Sequence, residues 1–557
     1  MKNENISRRS FLKTAAAAGV VGGASIGLLG CSSTAPAEEK AGWLPETWDY
    51  ETDVLVIGYG GAGVWAALTA ADEGEAEVLV LEKAPVRGGG NSSINLGEFT
   101  TITDTEGAFK YISAFSHGKT PEPVIRAWAE ECVRNTEYAT HWNIPWVEQE
   151  GTVASGYTEN SEYPFLPGAE AMHVAGTEGH GMAMWQIMDQ HRVDKGIEVI
   201  WEANNEELIQ NPDTKEIVGC YTYIGYDDTK KYAIKARKGV IMTIGGFEFN
   251  DELKRDWLKV YPADGFYGWP YNTGDGIHMV TNVGAKLWHM DCMIGGGNFN
   301  AHDADAPFAM SVRPKGNSYI HVNQQGKRWH DETERTSPHV GWHIYEGFNE
   351  SVCDFDHAPT WVILDQAAID AGCMGPQPGG ALSRGMYGAE LPDEVYGAWG
   401  NNGGWSDDNS VEIEKGWILK GETVEEITQK ILDHPYGSQW LTAESLQASI
   451  DAFNGYVEAG EDAEFSRDPE KMAALAAPFY AFPMFPGGCS TLGGPQKNEH
   501  GEVVDWNDQP IPRLYAAGCF GNIAGHTYGI SGGNNAENMI WGRICGRNCA
   551  ALEAWQA

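Results

Sequence analysis

The chain has 557 residues, with 78 acidic against 38 basic side chains and a formal net charge of −40. That length can bury a large core and hold more than one domain. The charge argues against nucleic acid or an anionic membrane face as a partner.

At the N-terminus, Ser7-Arg8-Arg9-Ser10-Phe11-Leu12-Lys13 precedes a weakly apolar run from Thr14 to Gly30. This is the form of a twin-arginine export signal, which carries folded proteins across a membrane. The run is too short and too rich in Ala and Gly for a membrane span. It ends at Leu28-Leu29-Gly30-Cys31, the form of a bacterial lipoprotein box. Residues 1–31 are therefore read as a signal with Cys31 as a candidate lipid attachment site. Ordinary cleavage near Ala35-Pro36-Ala37 is the alternative. Residues 32–49 read as a polar tether, and the expected location is the cell envelope or periplasm.

The next stretch, Asp53-Val-Leu-Val-Ile-Gly-Tyr-Gly-Gly-Ala-Gly63, leads through an Ala-rich segment to Glu77-Val-Leu-Val-Leu-Glu82. Val54 to Ile57 predicts a buried parallel strand. Gly58, Gly60 and Gly63 give the G-x-G-x-x-G spacing of a tight turn with close pyrophosphate approach. A helix from Gly61 and Ala62 then points its N-terminal amides at phosphate. Glu82, with Lys83 beside it, ends a second strand and is placed to accept hydrogen bonds from ribose hydroxyls. A 2′-phosphate would be repelled there, so the unit predicts FAD or NAD rather than NADP.

Val86-Arg-Gly-Gly-Gly-Asn-Ser-Ser-Ile-Asn-Leu-Gly97 follows directly. Gly89, Gly90 and Gly97 let backbone amides face a cofactor, and Asn91 and Ser92 offer short donors. A flexible surface loop is the plain alternative. Further on, Lys238 to Phe247 predicts a strand into a glycine turn at Gly245, and Asn272-Thr-Gly-Asp275-Gly-Ile277 opens a helix running to Val283. Near the end, Ile511 to Gly518 is a strand into a turn, and Gly532-Gly533-Asn534-Asn535-Ala536 starts a final helix that reaches Glu553.

In this collinear order, from about Thr52 to Ala551, the glycine elements resemble the flavoprotein family of fumarate reductase, succinate dehydrogenase and 3-ketosteroid dehydrogenase. The resemblance implies an α/β fold, a Rossmann-like FAD-binding domain from residues 50–289 and 480–557, with an inserted α+β capping domain at 290–479. It implies non-covalent FAD, and hydride transfer between the flavin and one carbon of an activated C=C bond. The amides of Gly533, Asn534 and Asn535 are expected to stabilise negative charge on the reduced flavin.

The middle segment loses periodicity: residues 369–410 are dense in Gly, Pro, Asn, Asp and Trp, as lids or insertions are. Helical signals resume at Thr423, whose spacing to Glu426 predicts a capping box. Trp361, Trp399, Trp405, Trp417 and Trp440 are candidates to line a substrate lid, with core packing as the alternative. The ten cysteines are scattered, including Cys545 and Cys549 on one predicted helix, and read mostly as small buried apolar residues. No C-x-x-C-H and no paired Cys or Cys/His cluster occurs, so neither attached haem nor a metal is predicted.

Within the resemblance, two dicarboxylate clamps of the fumarate reductases fall on Ser490 and Ile530, and the upstream proton relay falls on Val312 and Lys315. Each lost clamp is a charge-assisted contact of about 1.5–3 kcal/mol, which argues against fumarate. Gly525-His-Thr-Tyr528-Gly-Ile-Ser-Gly532 is instead similar to the 3-ketosteroid dehydrogenase element in which a tyrosine hydroxyl and a glycine amide bind the ketone oxygen, although both of its prolines are replaced. Tyr528 and Gly532 are the implied carbonyl-binding pair. Ile320 to Glu332 matches the capping-domain signature, after which the family carries its proton donor. Thr336 occupies that position here, so the neighbouring Arg335 is the leading candidate, with His330 and His339 behind it.

The expected activity is therefore that of an exported reductase of an enone or enoate, fed by a membrane-linked donor such as a cytochrome. Two alternatives stand beside it: a 3-ketosteroid-type dehydrogenase running in the oxidative direction, and a non-catalytic flavin-binding lipoprotein.

Overall fold

The computed structural model describes residues 42–85, 87–149, 161–225, 229–303, 308–333, 339–375 and 405–556. The signal, Cys31, Arg335, Thr336 and Trp399 lie outside the described residues.

The strand Tyr50–Ile57 is central to an eight-stranded sheet. It pairs in parallel with Val78–Leu81 on one side, Ile57 opposite Leu81, and with Lys231–Met242 on the other, Ile57 opposite Met242. Val54, Leu55, Val56 and Ile57 are fully buried, as a strand covered on both faces requires. Beyond Lys231–Met242 lies Pro510–Ala516, again parallel, with Leu514 opposite Val240. The C-terminal segment thus completes the sheet begun at residue 50. On the same edge as Pro510–Ala516, the first half of Lys231–Met242 pairs antiparallel with Ile217–Ile224, which forms a hairpin with Ala203–Gln210.

Helix Gly61–Asp72 and the final helix Gly533–Ala550 are packed against each other, and both are buried along most of their length. Small residues set the spacing. A Cβ at Gly542 would stand 2.6 Å from Trp65 Cβ, and one at Gly546 would stand 2.6 Å from the Ala66 carbonyl oxygen. The buried Arg543 holds this helix to its surroundings by donating to Glu131 Oε1 at 2.6 Å and Asn135 Oδ1 at 2.9 Å.

Most of the second, five-stranded sheet is antiparallel in the order Met293–Phe299, Phe479–Thr491, Thr360–Asp365, Tyr319–Val322, with Leu419–Gly421 also on Phe479–Thr491. Beside it, Arg328 makes two bonds of 2.7 and 2.9 Å to Glu332 and one of 2.7 Å to Asp462, while Arg467 reaches Glu332 at 3.1 Å. All four side chains are buried. Arg328 and Glu332 of the Ile320–Glu332 signature are therefore balanced inside the protein together with Asp462 and Arg467.

Helix Val424–Asp433 begins at Thr423, whose hydroxyl accepts from the Glu426 amide at 3.2 Å. The Glu426 carboxylate accepts from the Glu422 amide, one residue before the position a capping box uses. Trp361, Trp405 and Trp417 are buried in two apolar clusters and Trp440 is exposed, so none of these four joins the cavity described next. Among the described cysteines, Cys132, Cys220, Cys292, Cys545 and Cys549 are buried, Cys353 is exposed, and the rest are intermediate. No helix among the described residues is long and apolar enough to cross a membrane.

Candidate functional site

A cleft, partly open to solvent, runs from the turn after Tyr50–Ile57 to the start of the final helix. At its first end the walls are backbone. Gly58 has φ +100°, and a Cβ there would stand 2.5 Å from the Thr243 carbonyl oxygen. Gly60, Gly61 and Ala62 line the cleft. Gly63 stands behind them, where a Cβ would meet Gly58 O at 2.1 Å, so only glycine allows this turn to close. The buried Ala62 and Gly63 amides, at the helix N-terminus, have no protein acceptor among the described residues. A buried orphan amide pair at the positive end of a helix fits a pyrophosphate.

Glu82 lines the same end and is buried. Its Oε2 accepts from the Tyr59 amide and its Oε1 from the Ala84 amide, both at 2.7 Å. Burial raises its pKa, and these amides oppose the rise. Each oxygen keeps a second lone pair for a ribose hydroxyl. Lys83 and Asp275 form a 2.6 Å ion pair on the wall, with Thr273 also bonded to Lys83.

In the middle of the cleft, Gly90, Asn91, Ser92, Gly245 and Gly518 line the wall. Asn91, expected as a cofactor donor, has both amide hydrogens engaged by protein: one to Glu248 Oε1 and one to the Cys489 carbonyl, each at 2.9 Å, while its oxygen accepts from the Trp269 amide. Its side chain therefore holds the wall in place. Ser92 Oγ accepts from Asn538 on the final helix at 2.9 Å. Gly89 and Gly97 lie outside the lining, with φ of +106° and +71°.

The far end is built from segments distant in sequence. Tyr528 Oη accepts from the Asn534 amide at 2.9 Å, which leaves its own hydrogen to donate. Burial pushes its pKa well up, so the hydroxyl stays protonated. Gly532, at the N-cap of the final helix with φ +69°, also lines the cleft, and no bond within the described residues uses its amide. Of the three amides expected to face the flavin, Gly533 donates to Ile530 O and Asn534 to Tyr528; Asn535 has no protein acceptor among the described residues. Asn534 and Asn535 line the cleft and Gly533 lies just outside it. The Asn535 side chain donates to Glu98 O at 2.7 Å.

Two residues stand out beside Tyr528. His339 lines the cleft, and its ring meets that of Tyr528 edge-on at 5.4 Å. Its Nδ1 lies 2.5 Å from Glu162 Oε1, a carboxylate with no exposed side-chain surface that also accepts from Ser531 Oγ at 3.1 Å. Burial lowers the His339 pKa, but the charge and hydrogen bond of Glu162, with Glu98 adding to them, outweigh it and raise the group above an ordinary histidine. Glu162 gave no signal in the sequence: it sits in a polar stretch without periodicity. His330 packs against Trp329 and lies 2.9 Å from His321, away from the cleft, and burial pushes its pKa down to about 4. Ser490 is buried with its hydroxyl donated to Thr491 O, and Ile530 and Val312 are buried apolar residues.

Orphan amides over a glycine turn, a buried acid at the adenosine end and a polarising end beside the final helix define a flavin-dependent oxidoreductase site. The chain belongs to the FAD binding domain family, whose pattern matches residues 53–535. It is an FAD-dependent oxidoreductase acting on CH–CH groups. Residues 5–25 match the twin-arginine translocation signal. The chain is 27% identical to digoxin reductase of Eggerthella lenta, over 99% of this chain and 98% of that one. It is also 27% identical to a 3-oxosteroid 1-dehydrogenase of Mycolicibacterium smegmatis, over 90% and 98%. Its fold matches 3-ketosteroid delta1-dehydrogenase from Sterolibacterium denitrificans, solved with 1,4-androstadiene-3,17-dione, at a TM-score of 0.69 and 19% identity, covering 90% of this chain and 99% of that one.

Proposed function

We propose that this protein is an exported reductase that saturates the C=C bond of a conjugated carbonyl compound. The observation that carries the reading is the pairing of the Tyr528 hydroxyl with the Gly532 amide at one end of the cleft. Two donors on one oxygen stabilise an enolate-like transition state, because charge moves onto that oxygen as the double bond is reduced. Reduced FAD, when bound, would supply the hydride. Tyr528 keeps its proton and orients it, since the Asn534 amide occupies a lone pair on Oη.

The clamp positions support a carbonyl over a dicarboxylate. Ser490 and Ile530 carry no charge, and among the described residues the cations lining the cleft are Lys83, paired with Asp275, and His339, paired with Glu162. An enone is thus favoured over an enoate. Residues 290–479 serve as the capping domain that covers this end, and 50–289 with 480–557 hold the cofactor. The twin-arginine signal supports work in the periplasm or cell envelope, where a membrane-linked donor such as a cytochrome would deliver electrons, with Cys31 as a lipid anchor.

Reduced viologen offered with a panel of enones, enoates and ketosteroids tests the reading. Dye oxidation with at least one enone is expected; oxidation with none of them removes the reading. The likeness to two ketosteroid dehydrogenases motivates a second reading, the same chemistry in reverse. Saturated ketones with an artificial electron acceptor separate the two directions.

A further inference from the structure

We infer that His339, held by Glu162, delivers the proton to the α-carbon of the substrate during reduction. The inference rests on the reading above and names a residue for its second half-step. A carbonyl oxygen held by Tyr528 and Gly532 has its α-carbon two bonds away. His339 is the titratable ring that lines the cleft edge-on to Tyr528.

The pairing has the form that a proton donor needs. Nδ1 is engaged by Glu162 Oε1 at 2.5 Å, which fixes the ring's orientation and assigns Nε2 to the other side. Glu162 is itself held by Ser531, three residues from Tyr528 and adjacent to Gly532, so donor and carbonyl site share one support. The backbone of His339 is also fixed, since its carbonyl accepts from the Gly295 amide at 2.9 Å. Among the described residues, the titratable groups facing the ring are Glu162 from the loop before residue 163, Glu98 from the strand Glu98–Ile102, and Tyr528. Two carboxylates favour the imidazolium, and Tyr528 stays neutral.

The step balances. The Nε2–H bond breaks and a C–H bond forms at the α-carbon; the N–H electron pair stays on the imidazole, which is reprotonated from solvent. Reduced flavin is the hydride source for the β-carbon.

The test uses FAD-loaded wild type, H339Q, E162Q and R335Q, the last because Arg335 is the rival donor. With the enone turned over best by wild type, H339Q is expected to lower kcat by about a hundredfold or more, the range of general acid catalysis. E162Q is expected to move the alkaline limb of the pH profile to lower pH, because the carboxylate that holds the proton on His339 is gone. A readout without turnover comes from titrating 4-nitrophenol, an enol mimic, against the oxidised holoenzyme. The ionised fraction bound should fall about tenfold or more in H339Q, with flavin content unchanged. A kcat within about threefold of wild type in H339Q, or a larger loss in R335Q than in H339Q, overturns the inference. If no enone is reduced by wild type, the functional reading fails by itself, and the phenol titration still reports the charge at His339. If H339Q does not fold, E162Q decides: an unmoved limb and an unmoved phenol titration overturn the inference.

Discussion

The two ends of the cleft are made in different ways. The adenosine end is backbone: a glycine turn, two unmatched amides and one acid, all within residues 58–82 and fixed by the packing of one strand, one helix and the next strand. The far end is side chain: Glu162, His339, Ser531 and Tyr528 come from three separated stretches. A backbone site tolerates change in most side chains around it and none at the glycines. A side-chain site has the opposite sensitivity, which is how one scaffold can keep its cofactor while its substrate changes.

The sharpest way to break this comparison is Y528F. It removes one carbonyl donor and should lower kcat/KM by about 10²–10³-fold while the flavin absorbance per protein stays at the wild-type value. Loss of flavin together with turnover would mean that the two ends are not separable. The converse is Gly63→Ala, whose Cβ would stand 2.1 Å from Gly58 O. The clash should weaken cofactor retention about ten- to hundredfold, read as flavin per protein after dialysis, with the protein that keeps flavin turning over at the normal rate.

Two changes in neither end sharpen the comparison. Asp462 is bonded to Arg328, and the Arg328 bond and nearby backbone amides overcome burial to hold its pKa down at about 2. A depressed carboxylate stabilises the fold above its unfolded pKa of about 4, and that contribution, about 2 kcal/mol, is lost as pH falls through the window to about 2. Thermal melts of D462N should lie below wild type at neutral pH and converge with it across that window, with flavin spectrum and phenol binding unchanged. The smallest effect is T423A, which removes a helix cap worth about 1 kcal/mol and should lower the melting temperature without altering either end.

The same contrast explains what was legible in the sequence. The turn at Gly58 to Gly63 and the acid at Glu82 could be read because spacing along a strand, turn and helix is a local property. The start of the final helix was legible from its glycines, but not which amides are open: that depends on Tyr528 and Ile530 reaching back to Asn534 and Gly533. Asn91 read as a cofactor donor because its chemistry allows it; three protein partners, all of them more than 150 positions away, take that capacity up. Glu162 and His339 meet across 177 positions, and no period or motif encodes such a meeting.

The strand Pro510–Ala516 sits inside the sheet; the loop after it supplies Tyr528 to the far end, and the helix that follows supplies Asn538 to Ser92. During synthesis, the first half of the cofactor cradle leaves the ribosome more than four hundred residues before the part that closes it. Until then the end of Lys231–Met242 at Val240 to Met242 lacks a partner on one edge and is open to pairing with another chain. A complete cradle for the flavin therefore exists only once the C-terminal segment has been made. An export route that accepts only finished proteins would, by the same logic, act as a checkpoint that the C-terminus has arrived.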